Sequence, residues 1–186
     1  FKIPTPENVP LVVSDPKNLR WSYGASKILG EVAFFSYAKA RKFKRFAIIR
    51  YHNIYGPRMG YEHVIPQFIE RIAKKENPFR IFGKDQTRSF CFVDDAVQAT
   101  QLVMKNEKTN GEIIHIGRDD SEIKIIDVAE KLFKIANFHP KLKVEKEALG
   151  TVKRRCPDIS KLKKLGFRPK ISLDKGLRKT YDWYKV

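Results

Sequence analysis

The first residues able to do chemistry are Tyr23-Gly24-Ala25-Ser26-Lys27. Four residues separate the phenol from the amine, so on a helix they share one face. A free phenol ionises near pH 10 and is a poor base at neutrality. A neighbouring ammonium favours the phenolate. Such a pair can take a proton from a sugar hydroxyl while hydride leaves the same carbon. Taken alone, the pair reads more readily as a surface aromatic–cation contact. Further along, Arg50-Tyr51-His52-Asn53-Ile54-Tyr55-Gly56-Pro57 follows a short apolar run. Ligands of open α/β sheets lie beyond the carboxyl ends of strands, where Asn53 offers both a donor and an acceptor. Arg88 and Arg155 are two separated guanidinium groups of the kind a diphosphate needs for oriented binding. Each of these also has a plain structural reading, as a turn former or a solvated basic residue.

These residues need elements to hold them. Residues 22 to 41 read as a helix, with Ser22 as a plausible cap and Lys39, Arg41 and Lys42 gathered at its C-terminal end. Its girth is apolar over much of its circumference (Ile28, Leu29, Val32, Ala33, Phe34, Phe35, Tyr37), so it should be buried on more than one side, a second subunit being one candidate cover. Phe46 to Tyr51 is an unbroken strand-like run. Helices are expected over 64–75, from Asp94-Asp95 as a cap to about Asn106, over 125–136 and over 173–184. Strands are expected over 79–83, 88–93, 112–116 and 141–145. Prolines at 4, 6, 10 and 16 exclude a regular helix in the opening segment. Strands alternating with helices argue for an α/β fold.

Composition narrows the class. The 38 Lys and Arg outnumber the 21 Asp and Glu, for a net charge of +17. That total suits either a nucleic-acid surface or a site for an anionic small molecule. The basic residues are scattered and lack aromatic alternation, so nucleic acid is the remote alternative. No stretch approaches the roughly 18 apolar residues of a membrane span. Cys91 and Cys156 are too few for a disulfide framework or a zinc site, and no metal is expected. Both read as buried apolar residues, and His115, inside a strand, as structural. A reduced, cytoplasmic protein is the expectation.

In order, Arg20-Trp21-Ser22-Tyr23-x-x-Ser26-Lys27, Arg50-Tyr51-x-Asn53-x-Tyr55-Gly56-Pro57-Arg58, Gln86-Thr87-Arg88-Ser89-Phe90-x-Phe92-Val93-Asp94-Asp95, Arg155-x-Pro157-Asp158 and Leu165-Gly166-Phe167-x-Pro169 resemble the NAD-dependent epimerase/dehydratase family. These are extended short-chain dehydrogenases acting on nucleotide-diphosphate sugars. The likeness is nearest to GDP-mannose 3,5-epimerases and UDP-glucuronate decarboxylases. It implies transient oxidation at C4 of the sugar, followed by epimerisation, dehydration or decarboxylation. It also implies Tyr23 as the acid/base and Lys27 as its partner on the nicotinamide ribose. Tyr51 and His52 would line the nicotinamide. Asn53, His63, Val64, Arg80, Phe82, Arg88 and Arg155 would hold the sugar nucleotide, with Arg20 at the substrate acid. NAD is the implied cofactor ahead of NADP.

The resemblance implies a Rossmann-type doubly wound parallel sheet, here its C-terminal part, plus a smaller mixed α/β substrate-binding lobe. Residues 1–60 would belong to the cofactor domain and 61–186 mainly to the lobe, with 88–118 returning to the Rossmann domain. The family's glycine-rich fingerprint is absent, as is the Ser/Thr that usually assists the Tyr. The missing N-terminal half of the same enzyme is therefore an expected partner, together with a homodimer formed through the Tyr/Lys helix. UDP-glucuronate decarboxylation specifically, or non-catalytic nucleotide-sugar binding, is the alternative.

Overall fold

A computed structural model describes residues 2–19, 21–146 and 151–185. The first helix, α1, spans Trp21–Ala40 and leads into strand β1, Ala47–Tyr51. Short strand β2 (Ile54–Tyr55), helix α2 (Val64–Ala73) and strands β3 (Phe79–Phe82), β4 (Thr87–Ser89) and β5 (Cys91–Phe92) follow. Helix α3 (Val93–Lys105) and a 3-10 turn at Glu107–Thr109 return the chain to β6, Glu112–Ile116. The remainder is β7 (Glu122–Lys124), α4 (Ile125–Ala136), β8 (Leu142–Glu145), β9 (Arg154–Arg155), α5 (Ser160–Lys164) and α6 (Leu173–Tyr184).

β1 and β6 pair in parallel, Ala47 opposite Glu112 through Tyr51 opposite Ile116, with α3 as the crossover between them. This is the α/β arrangement the alternation of elements anticipated. β2 pairs in parallel with β5, and β3 with β8. β4 lies between antiparallel β7 and parallel β9. Among the described residues β1 has a strand on one side only.

Two cores hold these elements. One packs α3 and α5 on β1 and β6, through Ala99, Val103, Ile114, Ile116, Ile159 and Leu162. The other packs α2, α4 and α6 around β3, through Ile65, Ile69, Ile81, Val128, Leu132 and Leu177. α2 and α4 are strongly amphipathic, and their apolar positions supply that second core. Gly176 lets α6 approach Tyr55, since a Cβ there would collide with the phenol oxygen.

Three local expectations are corrected. Ser22 lies inside α1 rather than capping it, and its hydroxyl donates back to the Leu19 carbonyl at 2.7 Å. Asp94 and Asp95 lie in the first turn of α3 without capping it, because Phe92 holds the cap position. Asp95 is instead fully buried, and its two carboxylate oxygens accept the backbone N–H groups of Lys170 and Ile171, each at 3.0 Å. α1 is not buried on more than one side: Ala38 is its one buried residue among those described, while Leu29 and Val32 are 69% and 58% exposed.

Candidate active site

The amine and phenol of α1 meet as their spacing anticipates. Lys27 Nζ lies 5.0 Å from the centroid of the Tyr23 ring, and Tyr23 is 71% exposed. Both line an open groove of about 800 Å³ between α1, β1 and the segment Pro10–Val12. Ser26 donates its hydroxyl to the Tyr23 carbonyl at 2.8 Å, tightening the turn that carries the pair. Tyr51 lines the same groove and shares a 2.9 Å hydrogen bond with the Thr100 hydroxyl on α3.

Side chains alternate along β1, so Arg50 faces the opposite way from Tyr51, toward α1. Its Nε and Nη2 donate to the two carboxylate oxygens of Glu31, each at 2.7 Å, and its Nη1 donates to the Glu7 carbonyl at 3.1 Å. His52 turns inward, its ring centroid 4.4 Å from that of His115. Burial pushes the His52 imidazole down to about 3, helped by the neighbouring His115, Arg50 and Arg155. Burial also lowers His115, whose backbone N–H donates to the Glu7 carboxylate at 3.1 Å. Both cysteines are buried, and burial raises the Cys91 thiol to about 12, far from a reactive thiolate.

One residue beyond His52 the chain opens onto a second cavity, of about 230 Å³. Asn53 adopts a left-handed conformation, φ 47°, and its amide donates to the Ser89 carbonyl at 3.0 Å. Asn53, His63, Val64, Phe82 and Arg88 line this cavity together. His63 and Val64 bring the N-terminal end of α2 to it, and the positive end of a helix dipole favours an anion. Arg88 is oriented by the carbonyls of Thr87 and Lys153, at 2.7 and 3.3 Å, and by the Gln86 side chain at 2.8 Å.

The parallel pairing of β4 with β9 sets Arg88 opposite Arg155. Register partners project from the same face, so the two residues stand side by side on one face of this sheet. Arg154 projects from the other face, where it clasps Glu122 at 2.9 and 2.6 Å. That hydrogen-bonded pair holds the Glu122 carboxyl down at about 2.

Three described sequence candidates fall outside both linings: His52, buried against His115, Arg155, beside Arg88 on β9, and Arg80. Arg80 lies on the exposed face of β3 with Phe82, but its Nε is 3.9 Å from Glu76 and it does not join Phe82 at the cavity. Arg20 lies outside the described residues. Sequence reasoning missed Met59, Gln86, Phe90 and Ile125 in the cavity wall, and Glu31 and Glu7 around Arg50. For Glu31 a signal was present: it sits one helical turn beyond Lys27.

Residues 4–117 match the model of the NAD dependent epimerase/dehydratase family. The chain belongs to this family. It is 38% identical over 178 residues to a UDP-N-acetyl-alpha-D-glucosaminuronate decarboxylase of Bacillus cytotoxicus, covering 90% of this chain and 54% of that protein. It is 32% identical over 180 residues to the human dTDP-D-glucose 4,6-dehydratase, covering 92% of this chain and 50% of that protein. Among solved structures, UDP-glucuronic acid 4-epimerase from Bacillus cereus, in complex with UDP-glucuronic acid and NAD, superposes with a TM-score of 0.80 at 32% identity. That match covers 88% of this chain and 52% of the other. UDP-glucose 4-epimerase from Thermotoga maritima, with UDP-glucose, gives a TM-score of 0.86 at 28% identity over 100% of this chain and 58% of the other. The chain therefore spans about half the length of the curated relatives it matches.

Proposed function

We propose that this chain carries the Tyr/Lys helix and the sugar-nucleotide lobe of an NAD-dependent enzyme acting on nucleotide-diphosphate sugars. The observation that carries this reading is the single segment Arg50–Asn53. Tyr51 lines the groove of Tyr23 and Lys27, while Asn53 opens into the cavity of Arg88 and the α2 N-terminus. One strand end thus joins a proton-transfer pair to an anion-binding cavity. The dimensions and chemistry of the groove suit a nicotinamide and its ribose: it is open, partly apolar, and carries the Lys27 ammonium and the Tyr23 phenol on its α1 wall.

On this reading Lys27 and Tyr51 hold the cofactor, and His52, implied by the resemblance at the nicotinamide end, packs against His115 just beyond Tyr51. Bound NAD supplies a hydride acceptor. Tyr23 takes the proton from the sugar's 4-hydroxyl, and the 4-keto sugar so formed is acidified at its neighbouring carbons. Asn53, His63 and Val64 receive the sugar and diphosphate. Arg88 and Arg155 clasp the phosphates, and Phe82 with Arg80 frames the base. These cationic contacts act on ground state and transition state alike, so they govern binding more than the chemical step. Two relatives of this chain act on uronic acids, by name a decarboxylase and a 4-epimerase. Their likeness favours an acidic sugar, with Arg20 at its carboxylate, and UDP-glucuronate decarboxylation as the specific alternative.

The reading extends to assembly. The open edge of β1 and the exposed Leu29 and Val32 of α1 support an N-terminal half of the same enzyme and a second copy as the covers of this side. For a division at residue 60, with 88–118 returning to the cofactor domain, Cys91, Ala96, Ala99, Ile114 and Ile116 give support in one core, while Tyr55, Phe90 and Phe92 pack in the lobe core and Ile159, Leu162 and Phe167 in the other. No helix among the described residues is long and apolar enough to cross a membrane, and a cytoplasmic enzyme is the proposal. The test is a thermal-shift panel of UDP-, GDP- and dTDP-sugars on the full-length protein with NAD, followed by product analysis. Stabilisation by sugar nucleotides and not by DNA is expected. A shift by DNA alone, steeply dependent on salt, would replace this reading with nucleic-acid binding.

A further inference from the structure

Tyr23, Lys27 and Glu31 follow one another at four-residue steps along one face of α1. The spacing that brings Lys27 to the phenol also brings a carboxylate to Lys27. A Lys–Glu pair four apart is an ordinary helix-surface contact, somewhat less favourable in this order than in the reverse. Formed here, it would draw the ammonium one turn away from Tyr23.

The carboxylate is engaged elsewhere. Arg50 takes both oxygens of Glu31 at 2.7 Å, and the third contact of the guanidinium is the Glu7 carbonyl. Each side chain of the pair is only 16% exposed. Among the described residues Lys27 forms no ion pair and lies over the Tyr23 ring. We infer that Arg50 is a positioning residue: by sequestering Glu31 it reserves Lys27 for Tyr23 and for the cofactor. This rests on the roles proposed above for Tyr23 and Lys27.

The chemistry of the pair supports the assignment. A planar fork matches both carboxylate oxygens and fixes their direction, which an ammonium on a flexible stem does not. A carboxylate left in a partly buried position without its cation is strongly disfavoured and seeks another. Lys27, one turn away on the same groove wall, is the cation within reach. Removing Arg50 alone should therefore harm Lys27. Removing Glu31 with it should spare Lys27, because no competitor remains.

The experiment compares Arg50→Met, Glu31→Gln and the double variant in the full-length protein. NAD affinity by calorimetry and steady-state kinetics are the two readouts. Arg50→Met should weaken NAD binding about tenfold and lower kcat at least as much, with KM for the sugar nucleotide within about threefold of the parent. Glu31→Gln and the double variant should both return to within about threefold of the parent in NAD affinity. A double variant no better than Arg50→Met would mean the pair only holds α1 to β1, and would overturn the proposal. Arg50→Gln, which keeps a donor but not the charge, serves if Arg50→Met does not fold; the same rescue by Glu31→Gln is expected, and its absence counts equally against the role. NAD affinity does not depend on which sugar is converted. A parent protein that binds NAD yet converts no sugar nucleotide would remove the proposed function, while the rescue in NAD affinity would still decide the role of Arg50.

Discussion

The lobe around β3 and the helix α1 solve the same problem in opposite ways. In the lobe, Ile65, Ile69, Phe79, Ile81, Val128, Leu132 and Leu177 are wholly buried. Phe68, Phe79, Phe133 and Phe138 run through it in successive edge-to-face contacts. The cavity of Asn53 and Arg88 is thus framed by elements that hold one another. On α1, apolar side chains stand open, and a polar clamp to Arg50 fixes the helix against β1. The anion-binding half of the site is set by packing within this chain. The proposed proton-transfer half depends on one ion pair, on the edge-to-face contacts of Phe34 and Phe35 with Phe46, and on whatever covers α1.

The largest expected effect lies on the weakly packed side. Tyr23→Phe keeps the ring beneath Lys27 and removes only the hydroxyl. In the full-length protein it should lower kcat by about 10³-fold or more, the upper part of the range for a general acid/base. The thermal shift with sugar nucleotide should persist, since the lobe is untouched. Near-normal turnover would detach the phenol from the chemistry and leave α1 a structural helix.

Stability should invert that ranking. Leu132 is fully buried between α4 and its neighbours, so Leu132→Ala should cost about 2–5 kcal/mol in denaturant melts. Leu29, 69% exposed, should cost within about 0.5 kcal/mol when changed to Ala in this chain. If the full-length protein covers α1 as proposed, Leu29→Ala becomes costly there and stays neutral here. Equal costs in both settings would mean nothing packs on that face.

Arg88→Ala should act through binding. Its guanidinium is oriented by two carbonyls and Gln86 beside the α2 N-terminus, and losing a charged hydrogen-bonding group of this kind costs about 1–3 kcal/mol. KM should rise about tenfold or more with kcat nearly kept. A fallen kcat at unchanged KM would assign Arg88 to the chemical step instead.

How much of this could be read beforehand follows from what each signal encodes. Residues 112–116, 125–136 and 173–184 come out of the sequence with the bounds they have in the structure, because each carries its own period and punctuation. β7 and β9 are three and two residues long and exist through pairing with β4, so no local pattern announces them. Asp95 carries the composition of a cap but serves a backbone 75 positions away. A cap and a long-range acceptor look alike in sequence. The apolar girth of α1 led to an expectation of burial on more than one side, yet Leu29 and Val32 stand exposed, because composition does not say what packs on a helix. In the site, Tyr23 and Lys27 were legible because a helical turn brings them together. Arg88 and Arg155 were legible as types, while their adjacency comes from strand register. Arg80, implied by the resemblance together with Phe82, lies 3.9 Å from Glu76 on the exposed face of β3, outside the cavity wall.

The seam between the two regions gives the smallest effect and the sharpest probe. His52 sits between the groove and the cavity, with Arg50 on its own strand, Arg155 from β9, and His115 on β6 with Glu7 and Asp158 beside it. Its folded value of about 3 lies below the ordinary 6.5, chiefly through burial. Between those two values the unfolded chain holds a proton that the folded chain lacks. The stabilising contribution is therefore complete above about pH 6.5 and is lost as pH falls toward about 3, by at most roughly 1.4 kcal/mol per unit. Lowered His115 acts in the same direction. His52→Phe preserves an aromatic edge against His115 and removes one of the two protonation sites. Melts between pH 4 and 7 should then show a shallower acid-side decline, with stability at pH 7 changed by less than about 1 kcal/mol. An unchanged slope would take His52 out of the acid sensitivity; carboxylates such as Glu122 add their own loss mainly below about pH 4.5, as the pH falls toward about 2. The seam would then be as indifferent to protons as the core of the lobe.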